Sequence, residues 1–227
     1  MRGNRALWSG ALRSALALSA WAGVHSLLAW TQIRELARAR LGEDRTNGLY
    51  RLGYNAFAIA SFGGLLGYVW RLPDRRLYTA RGALRVLMLA GQAGCAAGFL
   101  SGVLQVGLGL FLGVTQAWDL ITGKRPISPT PVAQHPLPRE GSDDVGWTGP
   151  YRLSRHPSNY FVILGFWLSP VMTLKWGAFG LVTAVYMFLG SRHEGWRLTQ
   201  AYGERYLRYR ERVPHFPLPF GRATRHE

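Results

Sequence analysis

Hydrophobic residues in this chain come in long blocks, not in the every-other-residue alternation of half-buried strands. The blocks cover residues 6–30, 52–70, 83–118 and 160–190, the last interrupted at Lys175-Trp176. A bilayer core of about 30 Å is crossed by about 20 apolar helical residues. The blocks therefore predict an all-α fold, a polytopic transmembrane helical bundle of about five spans. Span one is expected at 7–29 and span two at 52–70. Span three begins near residue 83. Spans four and five are expected as a hairpin, 159–174 and 176–190, turning near Lys175. Between spans one and two, residues 32–40 read as a short interfacial helix broken at Gly42. The block 83–118 is too long for one span. Gly107, Gly109 and Gly113 mark either a helix lying in the interface or a second short span, which would make six.

Polar punctuation divides the chain into three regions: N-terminal transmembrane helices (1–118), a proline-rich loop (119–148) and a C-terminal hairpin and tail (149–227). Pro126, Pro129, Pro131, Pro136 and Pro138 keep the loop from being helical throughout. In span three, Gly94, Gly98 and Gly102 recur every four residues as a ridge of small side chains. The ridge predicts close packing against another span or across a homodimer. In the tail, Leu198, Tyr202, Tyr206, Tyr209 and Val213 fall at helical spacing, with Arg205, Arg208, Arg210 and Arg212 on other positions. This is an amphipathic helix, 192–212. Its apolar face suits a lipid surface, and its tyrosines suit a lid that walls a cofactor pocket.

The formal net charge is +15, with 27 basic residues, of which only Lys124 and Lys175 are lysines. On a membrane protein this excess points to anionic lipid and the positive-inside rule, not to nucleic acid. Five spans with a cytoplasmic C-terminus place 18 of the 27 basic residues inside, and six spans place 20, so charge does not choose between them. The arginine bias points to a GC-rich bacterial genome and an inner-membrane location. Cys95 is the one cysteine and sits in an apolar block, which excludes an intrachain disulfide and a cysteine metal cluster. Arg2, Arg5 and Ala20-Trp21-Ala22 imitate a cleaved leader. Arg13 within the apolar stretch, and hydrophobicity continuing to Trp30, favour a retained first span.

The candidate chemistry clusters near the end. The segment Gly149-Pro150-Tyr151-Arg152-Leu153-Ser154-Arg155-His156-Pro157-Ser158-Asn159-Tyr160 crowds arginines, aromatics and a histidine against an apolar run. Such groups beside a membrane span are costly unless they bind something. Pro157 suits the first turn of a helix, leaving amide donors and a positive dipole end facing the site. His156 supplies an imidazole, a side chain that can give or take a proton. Glu194 lies at the end of span five, on the face that also holds His156. It needs a partner such as Arg192, Arg155 or a cationic ligand. Nucleotide-binding glycine motifs, a HExxH element and a GxSxG elbow are absent, and no metal is expected.

At these residues the chain resembles the isoprenylcysteine carboxyl methyltransferase superfamily of integral membrane enzymes. The matching elements are Arg155-His156-Pro157-Ser158, then Glu194, then Tyr202-Gly203-Glu204-Arg205-Tyr206-Leu207-Arg208-Tyr209, then Val213-Pro214. The front half, with His25-Ser26, looks more like a bacterial branch of methanethiol S-methyltransferases and nitric-oxide-reductase accessory-like proteins. The resemblance implies S-adenosylmethionine as methyl donor, bound in a cytosol-facing pocket closed by the tail. Carried over, the cofactor ligands are Asp143, Asp144, Val145, Gly146, Tyr151, His156, Pro157 and Ser158. Tyr160, Tyr206 and Tyr209 are added, with Arg192 and Glu194 as the catalytic pair. The acceptor would be a small or lipophilic thiol, carboxylate or lipid headgroup. The chain departs from the family pattern in carrying Asn159 before Tyr160 and in reducing a glutamate pair to Glu194-Gly195. Two other classes share features: a non-catalytic accessory membrane protein, and an NADPH-dependent membrane reductase related to sterol reductases.

Overall fold

The computed structural model describes residues 2–131, 135, 136, 138, 145 and 147–217, without the side chains of residues 2–7. The chain is almost entirely helical. Its helices are α1 (Arg2–Leu28), α2 (Thr31–Leu41), α3 (Glu43–Trp70), α4 (Gly82–Val106), α5 (Leu108–Leu112), α6 (Val114–Thr122), α7 (Pro157–Trp167), α8 (Leu174–Tyr202) and α9 (Glu204–Arg212). Short strands β1 (Arg76–Thr79) and β2 (Val171–Thr173) and a 3-10 turn at Gly149–Arg152 complete the described elements. Among the described residues, α3, α4 and α8 are long and apolar enough to cross a membrane. Their outer faces carry large bare side chains, Trp70 at 75% exposure, Leu87 at 69% and Ile59 at 67%. Apolar surface on that scale is stable against lipid and not against water.

The polytopic helical expectation agrees with this structure, and two local expectations, the fourth span and the single tail helix, do not. The predicted fourth span, 159–174, is cut short: α7 has 11 residues, about 17 Å, too little to cross the bilayer core alone. Pro170 disfavours helix at Ser169, and the chain passes into β2 instead of a helical hairpin turn. The long block 83–118 is divided at its glycines, as the sequence leads one to expect. It breaks at Gly107 and Gly113, whose φ of 88° and 89° lie in the left-handed region that glycine tolerates. The resulting α5 and α6, 5 and 9 residues long, are too short to form the extra span. The tail is not one helix over 192–212. Helix α8 runs unbroken to Tyr202, and α9 starts afresh after Gly203.

The chain forms two compact units. One comprises residues 1–81, 109–130 and 170–184. Here α3 packs on α6, where Gly48 leaves room for Leu120. Arg51 Nε donates to the Phe111 carbonyl at 2.8 Å, and Asn55 Nδ2 donates to Phe111 and Leu112 at 2.9 and 3.0 Å. These side chains satisfy carbonyls left open at the end of α5. Strands β1 and β2 pair antiparallel, Arg76 opposite Thr173 and Thr79 opposite Val171. A two-stranded ribbon is marginal alone. It is pinned by Lys175, whose buried ammonium donates to the Trp70 and Leu72 carbonyls at 3.0 Å each and lies 3.7 Å from Asp74. Replacing Lys175 with methionine keeps the stem and leaves those acceptors unpaired. It should cost on the order of 3 kcal/mol, read as a lower unfolding temperature in detergent.

The other unit comprises residues 82–108, 131–169 and 185–227. Its frame is α4 against α7. A Cβ at Gly98 would lie 2.5 Å from the Phe161 ring, and one at Gly102 would lie 3.5 Å from Ser158 Oγ. The glycine ridge thus serves contact within the chain at two of its three positions, while Gly94 faces open space. The contrast sets up a matched pair. Gly98→Ala should destabilise by about 1–3 kcal/mol through overpacking. Gly94→Ala should be neutral or stabilise by up to about 1 kcal/mol through helix propensity. Equal melting temperatures would contradict this account of the ridge.

Candidate active site

The second unit gathers the chemistry around the start of α7. His156 is the residue before Pro157, and its backbone amide is held by Ser154 Oγ at 3.1 Å. Ser154 Oγ in turn donates to the His215 carbonyl at 2.7 Å, and Arg155 N donates to the Pro214 carbonyl at 2.9 Å. The Arg-His-Pro turn is therefore strapped to the Val213-Pro214-His215 end of the tail. A second strap comes from α9: Tyr209 Oη donates to the Tyr151 carbonyl at 2.6 Å. The residues that hold this turn lie more than fifty positions away in sequence.

A buried aromatic core backs the turn, formed by Val145, Trp147, Tyr151, Leu198, Tyr206, Tyr209 and Val213. Trp147 is at its centre, with ring centroids 4.8 Å from His135 and 4.9 Å from Tyr209. Its Nε1 donates to the Pro136 carbonyl at 2.9 Å. In front of this core lies a crevice of about 140 Å³ lined by His135, His156, Pro157, Ser158, Asn159 and Glu194. His156 Nδ1 meets Glu194 Oε2 at 3.2 Å, and Asn159 Nδ2 donates to the same oxygen at 3.4 Å. One nitrogen or oxygen from each of His135, His156 and Glu194 lies within 4.8 Å of the others.

The imidazoles have defined roles. His135 Nε2 is 2.6 Å from the Arg155 carbonyl, an acceptor only, so Nε2 carries the hydrogen and Nδ1 the lone pair. Among the described residues, His135 Nδ1 and His156 Nε2 are both buried without a hydrogen-bond partner. His215 Nε2 shares a 2.7 Å hydrogen bond with Ser191 Oγ. Burial, followed by the proximity of His156, pushes His135 down to about 4, with Glu194 and the Arg155 carbonyl opposing. His215 is also lowered to about 4, by burial first and then by His156, Arg155 and Arg192. Both rings are neutral in the fold at pH 7. Because each folded value lies below the unfolded value of about 6.5, stability is intact above that pH. It falls as pH drops from about 6.5 toward 4, by on the order of 3 kcal/mol for His135. Chemical denaturation across this range should show the loss, and His135→Gln should flatten the dependence.

Three proteins named methanethiol S-methyltransferase are similar to this chain. One, from Pseudomonas deceptionensis, is 24% identical over 226 residues, covering 93% of this chain and 74% of that protein. Another, methanethiol S-methyltransferase 1 from Bradyrhizobium diazoefficiens, is 38% identical over 63 residues, 28% of this chain and 22% of that protein. A third, from Crocosphaera subtropica, is 36% identical over 70 residues, 31% and 27% respectively. The matches to the last two thus span about a quarter of those proteins' length. No protein-family model matches the chain. No solved structure matches it.

Of the residues singled out in the sequence, His156, Pro157, Ser158 and Glu194 meet at the crevice. Tyr151, Tyr206, Tyr209 and Val145 are brought together behind it. They fill the aromatic core instead of walling an open pocket, because their rings and the Trp147 indole pack on one another. Tyr160 is half-buried against Phe161 and Phe216, and the neighbouring Asn159 takes the inward position. Arg192 is exposed on α8 and does not line the crevice. Asp143, Asp144 and Gly146 lie outside the described residues. Sequence reasoning missed His135, Trp147 and Asn159. A signal for His135 was present: His135-Pro136 repeats the His156-Pro157 dipeptide within the proline-rich loop.

Proposed function

We propose that this chain is an integral membrane methyltransferase that uses S-adenosylmethionine and acts on a small thiol. The observation that carries the reading is the Glu194 carboxylate, held by His156 and Asn159 at a crevice beside the Arg-His-Pro turn. The names of the similar proteins supply the reaction class and direct the choice of acceptor to a thiol.

The donor set suits the charged end of such a cofactor. A half-buried carboxylate complements a sulfonium or ammonium cation. The first amides of α7 face its N-terminus, where a carboxylate group is favoured. The crevice, lined by six residues, holds only part of the molecule.

When bound, the cofactor supplies a methyl group already activated on a positively charged sulfur. The protein's part is to position, to exclude water and to handle the acceptor's proton. Buried Tyr151, Tyr206 and Trp147 keep the back of the crevice dry. The straps from Tyr209, Pro214 and His215 fix the turn that carries His156. Catalysis then comes mainly from placing two groups in line. The basic excess supports a site and tail on the cytoplasmic side of a bacterial inner membrane.

The test uses the full chain purified in detergent. Calorimetry should show binding of S-adenosylhomocysteine and none of NADPH, and methanethiol should be methylated in the presence of S-adenosylmethionine. Binding of NADPH with no response to S-adenosylhomocysteine would overturn the reading.

A further inference from the structure

We infer that His156, oriented by Glu194, is the base that takes the proton from the acceptor thiol. The inference rests on the methyltransferase reading and goes beyond it, by assigning how the nucleophile is generated.

The pair has the geometry of an oriented base. With Nδ1 3.2 Å from the Glu194 carboxylate, the hydrogen sits on Nδ1 and the lone pair on Nε2. His156 is 2% exposed, and its Nε2 has no partner among the described residues. A buried acceptor left open is costly in a finished fold and is kept where a ligand completes it. Nε2 faces a gap created by Gly195. A Cβ built there would lie 3.6 Å from His156 Nε2 and 3.3 Å from Tyr206 Oη. A glutamate at 195 would fill this gap. Glycine leaves the position beside His156 Nε2 open.

The substrate needs such a base. A thiol with a pKa near the 8.5 of free cysteine is only a few per cent thiolate at pH 7. In the step assigned here, the S–H bond breaks and its proton moves to His156 Nε2. The sulfur lone pair forms the new S–CH3 bond as the methyl–sulfonium bond breaks. The products are a thioether and the demethylated cofactor. The imidazolium, facing the Glu194 carboxylate, then returns its proton to solvent. His135 and His215 flank the same ring at centroid distances of 5.2 and 4.8 Å. Arg155 and Arg192 are the nearby cations from the turn and from α8.

A series of acceptors of different acidity tests this in the full chain. With S-adenosylmethionine present, His156→Gln should slow methylation of an alkanethiol by about a hundredfold or more. It should slow methylation of an aryl thiol, already ionised at neutral pH, far less. That retained rate also reports that the variant is folded. Glu194→Gln should follow the same trend more weakly, as a positioning residue would. A second readout needs no turnover. With S-adenosylhomocysteine bound, the ultraviolet absorbance of a bound alkanethiolate should appear in the wild type and vanish in His156→Gln. An equal loss across all thiols, or no loss at all, overturns the inference while leaving the methyltransferase reading intact. So does activity that a chelator removes and a divalent cation restores, since the His135–His156–Glu194 cluster then ligates a metal. A wild-type protein that binds no S-adenosylhomocysteine and methylates no thiol overturns the functional reading itself, and the inference falls with it.

Discussion

Replacing Trp147 with alanine should lower stability by about 3–5 kcal/mol, the range for deleting a large buried aromatic. The indole touches His135, Tyr151, Tyr202, Tyr206 and Tyr209 and is 8% exposed. No neighbour is positioned to collapse into the space, because each ring is held by its own contacts. Tyr209 is fixed by its hydrogen bond to the Tyr151 carbonyl, and His135 by its bond to the Arg155 carbonyl. Trp147→Phe keeps much of the volume and loses the bond to the Pro136 carbonyl, so it should cost about 1 kcal/mol for that bond plus a smaller cavity term. Denaturation in detergent reads both. Equal, small losses in the two variants would show that this aromatic core is not what holds the tail to the Arg-His-Pro turn.

Gly195→Leu should reduce turnover by about a hundredfold or more and cost about 1–3 kcal/mol of stability through overpacking. The side chain would enter the gap between His156 Nε2 and Tyr206 Oη. Filling that gap removes the place where a reacting atom reaches the imidazole, and mispositioning of this kind costs about two orders of magnitude. The backbone change works in the opposite direction, since leucine favours helix over glycine by nearly 1 kcal/mol. Gly195→Ala, whose Cβ would lie 3.3 Å from Tyr206 Oη and 3.6 Å from His156 Nε2, should fall between wild type and leucine in activity. Full activity in Gly195→Leu would show that substrate does not approach from this side.

Much of this was legible in the residues. Apolar block length announces membrane helices because the bilayer imposes one thickness on every span. Gly42, Gly107 and Gly113 announce helix breaks because few other residues adopt their backbone angles. His156 and Glu194 were recognisable as a pair through their positions at the ends of two apolar runs. Their 3.2 Å approach was not, since it depends on how α7 and α8 lie together. The short α7 was hidden for a different reason. Hydropathy continues unbroken through 168–174, and the chain leaves the helix there because of Pro170 and the pairing of Val171–Thr173 with Arg76–Thr79.

The sequence by itself determined the class of fold, the helix-breaking points and the end of the chain at which the chemistry gathers. Each of these follows from local properties: hydrophobic length, glycine and proline backbone limits, and the cost of placing charge beside a membrane. Tertiary structure alone decided which polar groups face one another. It brought His135 from the proline-rich loop to within 5.2 Å of the His156 ring. It turned the tail tyrosines into a packed core, set Asn159 inward in place of Tyr160, and left Arg192 outside. These outcomes rest on contacts between residues about twenty to more than sixty positions apart. They are chosen by packing and by the need to satisfy buried polar atoms, and neither is written in any single stretch of the chain.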